Sequence, residues 1–248
     1  SELKFVTIRD ICDIGNGLVS GLDKAFQLNG EILTEKENKN QLKVVKAKDL
    51  KPYYHENITN YIYLNEIEEE KIIINDFPNY YNKLSKFKEK LEKRYQYNKK
   101  IPYWKWVFLR NFNLFNSDKH RIFVPCKERI SNKDYFRFAY AGIELFPTQD
   151  VTAIFKKENV RESIFYILSF LNNHRVFQWL IHNGIVKGNI VEFSERPIAS
   201  IPFRKINWNN KSEIEIHNVI VRLTKKYIKN HLDEDLKSIN KNFDKLLG

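Results

Sequence analysis

The sequence contains no methionine and only two cysteines, Cys12 and Cys126, neither of them in a C-x-x-C pair. No Cys/His cluster has zinc-site spacing, so we expect two reduced, buried thiols and no bound metal. No apolar run reaches the roughly 20 residues of a membrane-spanning helix, and the first residues do not form a signal peptide. These absences favour a cytoplasmic protein without a membrane partner. Because an initiator methionine is missing, we interpret the chain as a fragment of a longer protein or as a processed form.

The composition indicates a folded and strongly basic protein. The chain has 248 residues, and 14% of them are aromatic, which is more than a disordered segment carries. This length suits one large domain, or a domain with a helical appendage. The formal net charge of +11 and the pI of about 9.4 favour a polyanionic partner, usually nucleic acid. The alternative is a lysine-rich surface that only keeps the protein soluble.

Short runs rich in β-branched and aromatic residues predict strands between turns across the first two-thirds of the chain. The runs lie at 5–8, 25–28, 43–46, 61–64, 71–74, 121–125, 135–140 and 151–155. A helix is predicted among them over 83–95.

Helix signals dominate the last third. Capping-box patterns at 159–162 and 212–215 predict two helix starts, and a further helix is predicted to end at Gly184. Apolar residues at helical spacing continue over 216–246, with a break expected near His231. The predicted class is therefore α+β, with short, mostly antiparallel strands in the N-terminal two-thirds and helices in the C-terminal third.

Most of the net positive charge lies in residues 83–129, which contain 14 Lys and Arg residues against four acidic ones. Aromatic residues are interleaved with them, as on a surface that grips phosphates and contacts bases. At 103–110 the pattern alternates with a period of two, so one face of a strand, and half of its aromatics, is expected to be buried. The charges at 83–94 are interpreted as the solvated face of a helix.

The glycine-rich segment 14–21 (IGNGLVSG) lacks the context of a nucleotide site. A strand-like run follows it where a helix is required, and the Gly-Lys-Ser/Thr ending of a P-loop is missing. We interpret Gly15, Gly17 and Gly21 as a tight backbone that permits close approach to another chain, such as a DNA backbone.

Two segments resemble catalytic motifs without completing them. Residues 76–81 (DFPNYY) differ from the Asn/Asp-Pro-Pro-Tyr motif of adenine methyltransferases and are interpreted as a turn. Glu69 and Lys71 form the E-x-K fragment of a metal-dependent nuclease, without a convincing upstream Asp. No Ser/His/Asp or Cys/His arrangement is legible, so we expect no catalytic residue and no metal ligand in this chain.

Seven segments, in order over nearly the whole chain, carry a family resemblance. Residues 14–26 and 44–53 are similar to the patterns G-x-G-(L/I)-x-(T/S)-G-x-(N/D)-x-(A/V)-F and L-(R/K)-(G/x)-(R/K)-D-I-x-(R/P)-(Y/W). The others lie at 76–110, 119–125, 163–172, 197–202 and 239–248. Together they resemble the C-terminal target recognition domain of TaqI-type N6-adenine DNA methyltransferases, which also occurs in type IIG restriction–modification enzymes.

The resemblance implies a DNA target recognition domain over 1–210, with a helical segment at 211–248 packed on it, or one domain over 1–248. The domain would read bases of double-stranded DNA, while a methyltransferase core before Ser1 binds S-adenosylmethionine and flips the target adenine. This chain is then not an enzyme and holds no cofactor, and its parent is a site-specific adenine-N6 DNA methyltransferase, with or without a fused endonuclease. The expected phosphate or base contacts are Asn16, Ser20, Lys24, Lys46, Lys48, Lys51, Tyr103, Lys105, Arg110, Lys119, Lys127, Arg129, Lys187 and Asn189.

Three other functions remain open at this level. The chain could be half of a type I restriction specificity subunit, with the helices at 212–247 as a spacer. A metal-dependent nuclease rests on Glu69, Lys71 and the basic charge alone. A single-strand or RNA binder is the third, because aromatic side chains stack on unpaired bases.

Overall fold

The computed structural model describes residues 5–94 and 99–248, and the predicted α+β class is confirmed. The strands are β1 (Phe5–Thr7), β2 (Cys12–Asn16), β3 (Gln41–Val45), β4 (Thr59–Ile62), β5 (Arg121–Pro125), β6 (Lys127–Arg129), β7 (Ala139–Ala141), β8 (Leu145–Pro147), β9 (Val151–Lys156), β10 (Ile185–Lys187), β11 (Ile190–Glu192) and β12 (Pro202–Arg204). The helices are α1 (Ile8–Ile11), α2 (Asp23–Phe26), α3 (Glu35–Lys39), α4 (Glu70–Asp76), α5 (Pro78–Ser85), α6 (Lys88–Glu92), α7 (Phe112–Phe115), α8 (Ile164–Leu171), α9 (His174–Asn183), α10 (Glu195–Ala199), α11 (Lys211–Asn230) and α12 (Asp233–Leu247).

A four-stranded antiparallel sheet, in the order β2-β9-β5-β7, divides the hydrophobic interior in two. Successive side chains of a strand point to opposite faces. Accordingly Ile122, Val124 and Ile154 belong to one buried cluster, whereas Phe123 and Phe155 belong to the other. We call the first cluster the helix core and the second the aromatic core. Because β5 and β9 are covered on both faces, their sequences are nearly continuous apolar runs.

The C-terminal helices supply much of the helix core. α11 begins where the side-chain oxygen of Asn210 accepts hydrogen bonds from the backbone nitrogens of Ser212 and Glu213, and it ends at His231, which has a φ of 55°. The predicted break near His231 is therefore confirmed. α12 then packs back along α11, with Ile239 and Phe243 fully buried. α9 ends at Gly184, also as predicted.

Three smaller sheets surround this centre: β4-β3-β8, β10-β11-β6 and the pair β1-β12. β3 and β8 pair in parallel, and the other strand pairings within the described ranges are antiparallel. Over the same ranges, no helix is both long and apolar enough to cross a membrane.

Two predicted strands are helices. Residues 25 and 26 lie in α2, Gln27 follows it and forms an isolated bridge with Tyr61, and 71–74 lie in α4. The consecutive isoleucines of α4 suggest a strand by their β-propensity, but only the central one, Ile73, enters the aromatic core, while Ile72 and Ile74 remain partly exposed. The next buried side chain is Phe77, four positions after Ile73, while Asn75 is exposed, and this spacing is that of a helix rather than of an alternating strand.

The predicted strand at 103–110 is irregular, because side chains from both sides of its alternation are buried. Tyr103 and Val107 are as enclosed as Trp104 and Trp106. The two indole nitrogens donate to the backbone oxygens of Ile67 and Ile62, at 2.8 and 2.9 Å, so neither indole is available to a ligand. The expectation of one exposed aromatic face is therefore wrong.

Several boundaries also differ from the predictions. At 135–140 the strand is confined to β7, and the helix predicted over 83–95 is divided between α5 and α6, with Tyr95 outside the described residues. The patterns at 159–162 and 212–215 lie near helix starts, but Ser163 and Asn210 are the caps. Glu162 instead turns inward and accepts a hydrogen bond from the Ile206 backbone at 2.9 Å.

Candidate nucleic-acid interface

The turn formed by Thr148, Gln149 and Asp150, between β8 and β9, joins several loops at one end of the central sheet. We call it the 148–150 turn. The Asp150 carboxylate accepts hydrogen bonds from the backbone nitrogen of Ala47, at 3.1 Å, and from the Thr148 hydroxyl, at 2.6 Å. The Asp150 carbonyl accepts another from the Cys126 backbone at 2.8 Å. The segments after β3 and after β5 are thus fixed to the same turn.

The glycine-rich segment and the β10–β11 hairpin join the same end. The backbone nitrogen of Leu18 donates to the carbonyl of Pro147 at 3.0 Å, just before the 148–150 turn. Phe193, directly after β11, donates its backbone N–H to the Cys126 carbonyl at 2.9 Å, and its own carbonyl accepts from the Thr152 hydroxyl at 2.6 Å. These bonds bring four stretches of sequence that carry predicted contacts to one end of the fold.

After β2, the predicted contacts have unequal access to solvent. Lys24 is exposed on α2, and Asn16 is partly exposed, its carbonyl accepting a hydrogen bond from Asn111 at 3.2 Å. Ser20 is 1% exposed, and its hydroxyl donates to the Asp23 carboxylate. The Ser20 side chain therefore lies inside the protein, where DNA does not reach it.

After β3, three lysines differ in the same way. Lys48 is exposed. The Lys46 ammonium lies 3.5 Å from the Asp23 carboxylate and 5.6 Å from the centre of the Tyr61 ring, and its side chain is only 17% exposed. The Lys51 ammonium lies 3.5 Å from Glu56. Lys48 can therefore bind a phosphate directly. Lys46 and Lys51 would first have to leave the carboxylates of Asp23 and Glu56.

Strand pairing assembles four predicted contacts on one small sheet. β6 carries Lys127 and Arg129, both exposed, and pairs with β11. The β10–β11 hairpin carries Lys187 and Asn189, also exposed, and the Asn189 carbonyl accepts a hydrogen bond from the Ile130 backbone at 2.9 Å. Residues almost 60 positions apart in the sequence therefore share one surface.

Four other predicted contacts are placed differently. Arg110 is exposed next to Phe108, whose carbonyl accepts from Val19, so it borders the glycine-rich segment. The Lys105 ammonium is held 2.5 Å from Glu68, and Lys119 lies beyond the opposite end of β5, 3.5 Å from Asp13.

Tyr103, the fourth, is 2% exposed and donates its hydroxyl to Glu70 at 2.8 Å. Burial raises the pKa of this phenol, and the Glu70 carboxylate raises it further. Like Ser20, Tyr103 is not on the surface of the structure, so the expectation that these two side chains touch DNA does not fit their position.

Two of the basic residues at 83–129, Arg94 and Arg121, have a structural role and are not exposed on the surface like the cations above. Arg121 is fully buried, and its guanidinium donates to the carbonyls of Phe115, Ser117, Lys119 and Leu145. Arg94 donates likewise to the carbonyl of Ser20, at the glycine-rich segment. Burial lowers the pKa of each guanidinium to about 10. Arg121 braces its loops from inside the protein, and the half-buried Arg94 also donates to backbone carbonyls, so neither side chain is a freely exposed cation.

The close approach expected at the glycine-rich segment is made to the protein itself. A Cβ on Gly17 would lie 2.0 Å from the carbonyl oxygen of Thr148, and one on Gly15 would meet the Asn111 side chain at 2.9 Å. Gly21 has a φ of 83° and packs against Arg94 and Val107. Gly17 therefore lets the segment pack on the 148–150 turn, and Gly15 and Gly21 let it pack on side chains elsewhere in the protein. The interpretation that these glycines admit a DNA backbone is replaced.

The two incomplete catalytic motifs are parts of helices. Residues 76–81 span the junction of α4 and α5, with Pro78 in the first turn of α5, rather than a free turn. Glu69 and Lys71 lie at the start of α4. Throughout 5–94 and 99–248, no group of three or more His, Cys, Asp or Glu residues is placed to hold a metal ion.

The chain is similar to several methyltransferases over nearly its whole length. It is 52% identical over 246 residues to the type II methyltransferase M.HindII of Haemophilus influenzae, covering 99% of this chain and 47% of that protein. It is 34% identical over 228 residues to the type II methyltransferase M.MjaIV of Methanocaldococcus jannaschii, covering 88% of this chain and 73% of that protein. The chain belongs to the type II methyltransferase family. It spans about half the length of M.HindII, and no protein-family model matches it.

Solved structures from restriction–modification systems share the fold of this methyltransferase-family chain. The type IIL enzyme MmeI, solved in complex with DNA, matches 99% of the chain with a TM-score of 0.64 at 12% identity, over 34% of its own chain. The type IIG restriction endonuclease BpuSI matches 97% with a TM-score of 0.52 at 12% identity, over 31% of its own chain. Together with the relatives, this fold confirms the resemblance found in the sequence.

Sequence reasoning missed the residues that position this end of the methyltransferase-family chain. Glu128 is 3% exposed, and its carboxylate accepts from Lys133 at 2.7 Å and from the Arg137 Nε at 2.9 Å. The Arg137 guanidinium also donates to the carbonyls of Ala47 and Leu50, at 3.0 and 3.1 Å. In the sequence, the only sign of this role is that the acidic Glu128 lies between Lys127 and Arg129. That the Glu128 side chain points into the protein follows from the register of β6 with β11.

Proposed function

We propose that this chain recognises duplex DNA sequence on behalf of an adenine-N6 DNA methyltransferase in a restriction–modification system. The observation that carries the proposal is the convergence of exposed cations around the 148–150 turn. They come from four separate stretches of the chain: Lys24, Lys48, Lys127, Arg129 and Lys187.

The acidic groups at this end favour the same function. Asp150 and Glu128 are engaged by backbone N–H groups and by cations of the protein, so their charge is turned inward. A surface with outward cations and inward carboxylates attracts a phosphate backbone, and neutralising each phosphate releases condensed counterions. Phosphate contacts then fix the register of the duplex, and side chains that reach base edges supply sequence discrimination.

In this proposal the division of labour follows the extent of the relatives. The chain spans about half of M.HindII, and methyl transfer belongs to the remaining part of such a protein, where S-adenosylmethionine would bind. Adenine-N6 transfer requires the base to leave the stack, and transfer at one specific site requires the duplex to be held in a fixed register. The role of this chain is to hold and select the duplex.

Binding to labelled duplexes at about 50 and 200 mM salt tests the proposal. The affinity should fall steeply with salt. A plot of the logarithm of the association constant against the logarithm of the salt concentration should have a slope of about −0.9 for each phosphate neutralised. Lys24→Glu combined with Lys48→Glu should weaken binding to all duplexes about equally and make the slope shallower. Lys237→Glu combined with Lys241→Glu is the matched control, because both lysines are exposed and lie together on another element, α12.

Affinity that does not depend on salt, or an equal effect of the control substitutions, would contradict duplex recognition at this surface. Single-stranded competitors provide the remaining comparison. A chain that prefers single strands would be a stacking protein instead, although its Trp104 and Trp106 rings are enclosed in the aromatic core.

A further inference from the structure

The sheet β10-β11-β6 has the dimensions and the surface of a groove-reading element. β10 and β11 form a two-stranded ribbon whose tip is Gly188-Asn189, and β6 extends it by one strand. Gly188 has a φ of 58°, and no atom lies within 4 Å of where its Cβ would be, so the tip stands in open space. The major groove of B-DNA is about 12 Å wide and admits a two-stranded ribbon such as β10–β11.

The strand register shows which side chains share the outer face. Directly paired residues of antiparallel strands point to the same side. Arg129, Ile190 and Lys187 form one row across the sheet, with Ile190 paired to both of the others. All three are exposed, whereas Glu128 and Val191, one position along, are buried. The row therefore faces solvent.

Arg129 and Lys187 differ in their contacts with acidic groups of the protein. The Lys187 ammonium lies 3.1 Å from the Glu192 carboxylate on the neighbouring strand. Arg129 forms no ion pair or side-chain hydrogen bond with the residues that the structure describes. A guanidinium is a planar fork that pairs through two hydrogen bonds with O6 and N7 of guanine. Ile190, beside it, offers the apolar surface that a thymine methyl group contacts.

The strand that carries Arg129 is also fixed in position. Its neighbour Glu128 is clamped by Lys133 and Arg137, and Arg137 reaches across to the carbonyls of Ala47 and Leu50. The row of side chains is therefore held rigidly relative to the 46–51 segment with Lys48. Such pre-organisation suits a residue that must distinguish one base from another.

The geometry points to Arg129 as a base-reading residue that selects a guanine in the major groove, with Ile190 against the adjacent base. This inference rests on the proposed function. It separates Arg129 from Lys24 and Lys48, which act on the backbone and carry no sequence information.

Selection from a randomised duplex pool by the 248-residue chain, followed by sequencing of the bound fraction, tests the inference. Arg129→Ala should remove the preference for guanine at one position by roughly 10- to 100-fold and leave the other positions unchanged. Arg129→Lys keeps the charge but not the planar fork, so it should weaken the same preference while retaining most of the affinity for unrelated duplexes. Circular dichroism and thermal melting establish that both variants fold.

Lys48→Ala is the comparison variant, and it should lower all affinities without changing the selected sequence. If Arg129→Ala lowers all affinities uniformly and leaves the selected sequence unchanged, Arg129 is a phosphate contact and the inference fails while duplex recognition stands. If the unsubstituted chain enriches no sequence, the inference fails as well. If it also binds no duplex at low salt, the proposed function fails with it.

Discussion

The carboxylate of Asp150 accepts a hydrogen bond from the backbone nitrogen of Ala47, which lies 103 positions earlier in the sequence, at 3.1 Å. This contact connects the entrance of β9 to the exit of β3. The same carboxylate also accepts the Thr148 hydroxyl. One acidic side chain thus connects the loops that carry the exposed cations. Its carboxylate accepts hydrogen bonds from donors of the protein itself.

Replacing Asp150 should therefore loosen this end of the protein. We expect Asp150→Ala to lower the free energy of unfolding by roughly 2 kcal/mol, since hydrogen bonds to a charged group contribute about 1.5–3 kcal/mol. Urea denaturation measures the change, and DNA affinity should fall in parallel. Asp118→Ala, at an exposed acid near the other end of the sheet, is the control. Equal stability of the two variants would show that the 148–150 turn holds without Asp150.

Gly17 and Gly188 should respond very differently to alanine. At Gly17 the added Cβ would lie 2.0 Å from the Thr148 carbonyl oxygen, where backbone must move. We expect Gly17→Ala to destabilise the chain by roughly 3 kcal/mol, at the upper end of overpacking costs. Gly188 has a φ of 58° but open surroundings, so Gly188→Ala should cost about 1 kcal/mol. Thermal melting of both variants gives the comparison, and the reverse order of stability would contradict the packing described for Gly17.

Sequence patterns predicted the elements that are marked by their own residues. Nearly continuous apolar runs mark β5 and β9, and the spacing of apolar residues marks the helix break at His231. Residues 71–74 and 103–110 did not follow their patterns. There the neighbours decide: one isoleucine of α4 is buried, and the indoles of Trp104 and Trp106 bond to distant carbonyls.

The candidate interface divides in the same way. The sequence was sufficient to name Lys48 and Arg129 as candidate contacts, because charge is a property of single residues. Burial of Ser20 and Tyr103, and the internal use of Arg94 and Arg121, depend on contacts between distant segments, which one sequence does not reveal.

His217 should make the stability of the fold depend on pH. Its ring is 5% exposed, Nε2 accepts the backbone N–H of Ser163 at 3.1 Å, and Nδ1 faces the Asn218 side-chain oxygen. Burial lowers the pKa of this imidazole below its ordinary value of 6.5. The unfolded chain therefore binds the proton first as the pH falls through about 6.5, and the native state loses stability from there down to the folded pKa.

Unfolding free energies between about pH 7.5 and 5.5 measure this loss. His217→Gln keeps a hydrogen-bonding side chain but does not titrate, so its stability should decline less over that range. The pKa of His55 is also lowered by burial, but His55 is present in both proteins and cancels in their difference. Parallel pH curves for the two proteins would show that His217 is not the responsible group.

Asp23 lies where it should limit the affinity for DNA. Its carboxylate accepts from Ser20 and Tyr61 and lies 3.5 Å from the ammonium of Lys46. A phosphate that approaches Lys46 must compete with this carboxylate and is repelled by it. Asp23→Asn keeps an oxygen acceptor for Ser20 but removes the charge, so it should strengthen duplex binding a few-fold, the scale of a partly exposed ion pair of about 0.5–1 kcal/mol.

The gain should be larger at low salt, because the repulsion is screened over a Debye length of about 10 Å at 0.1 M. The double variant Asp23→Asn with Lys46→Ala separates the two causes. If Asp23 acts by holding Lys46, removal of the lysine abolishes most of the gain; if it acts by direct repulsion of the phosphates, the gain persists. Weaker binding by Asp23→Asn alone would mean that the carboxylate positions Lys46 for DNA rather than withholding it.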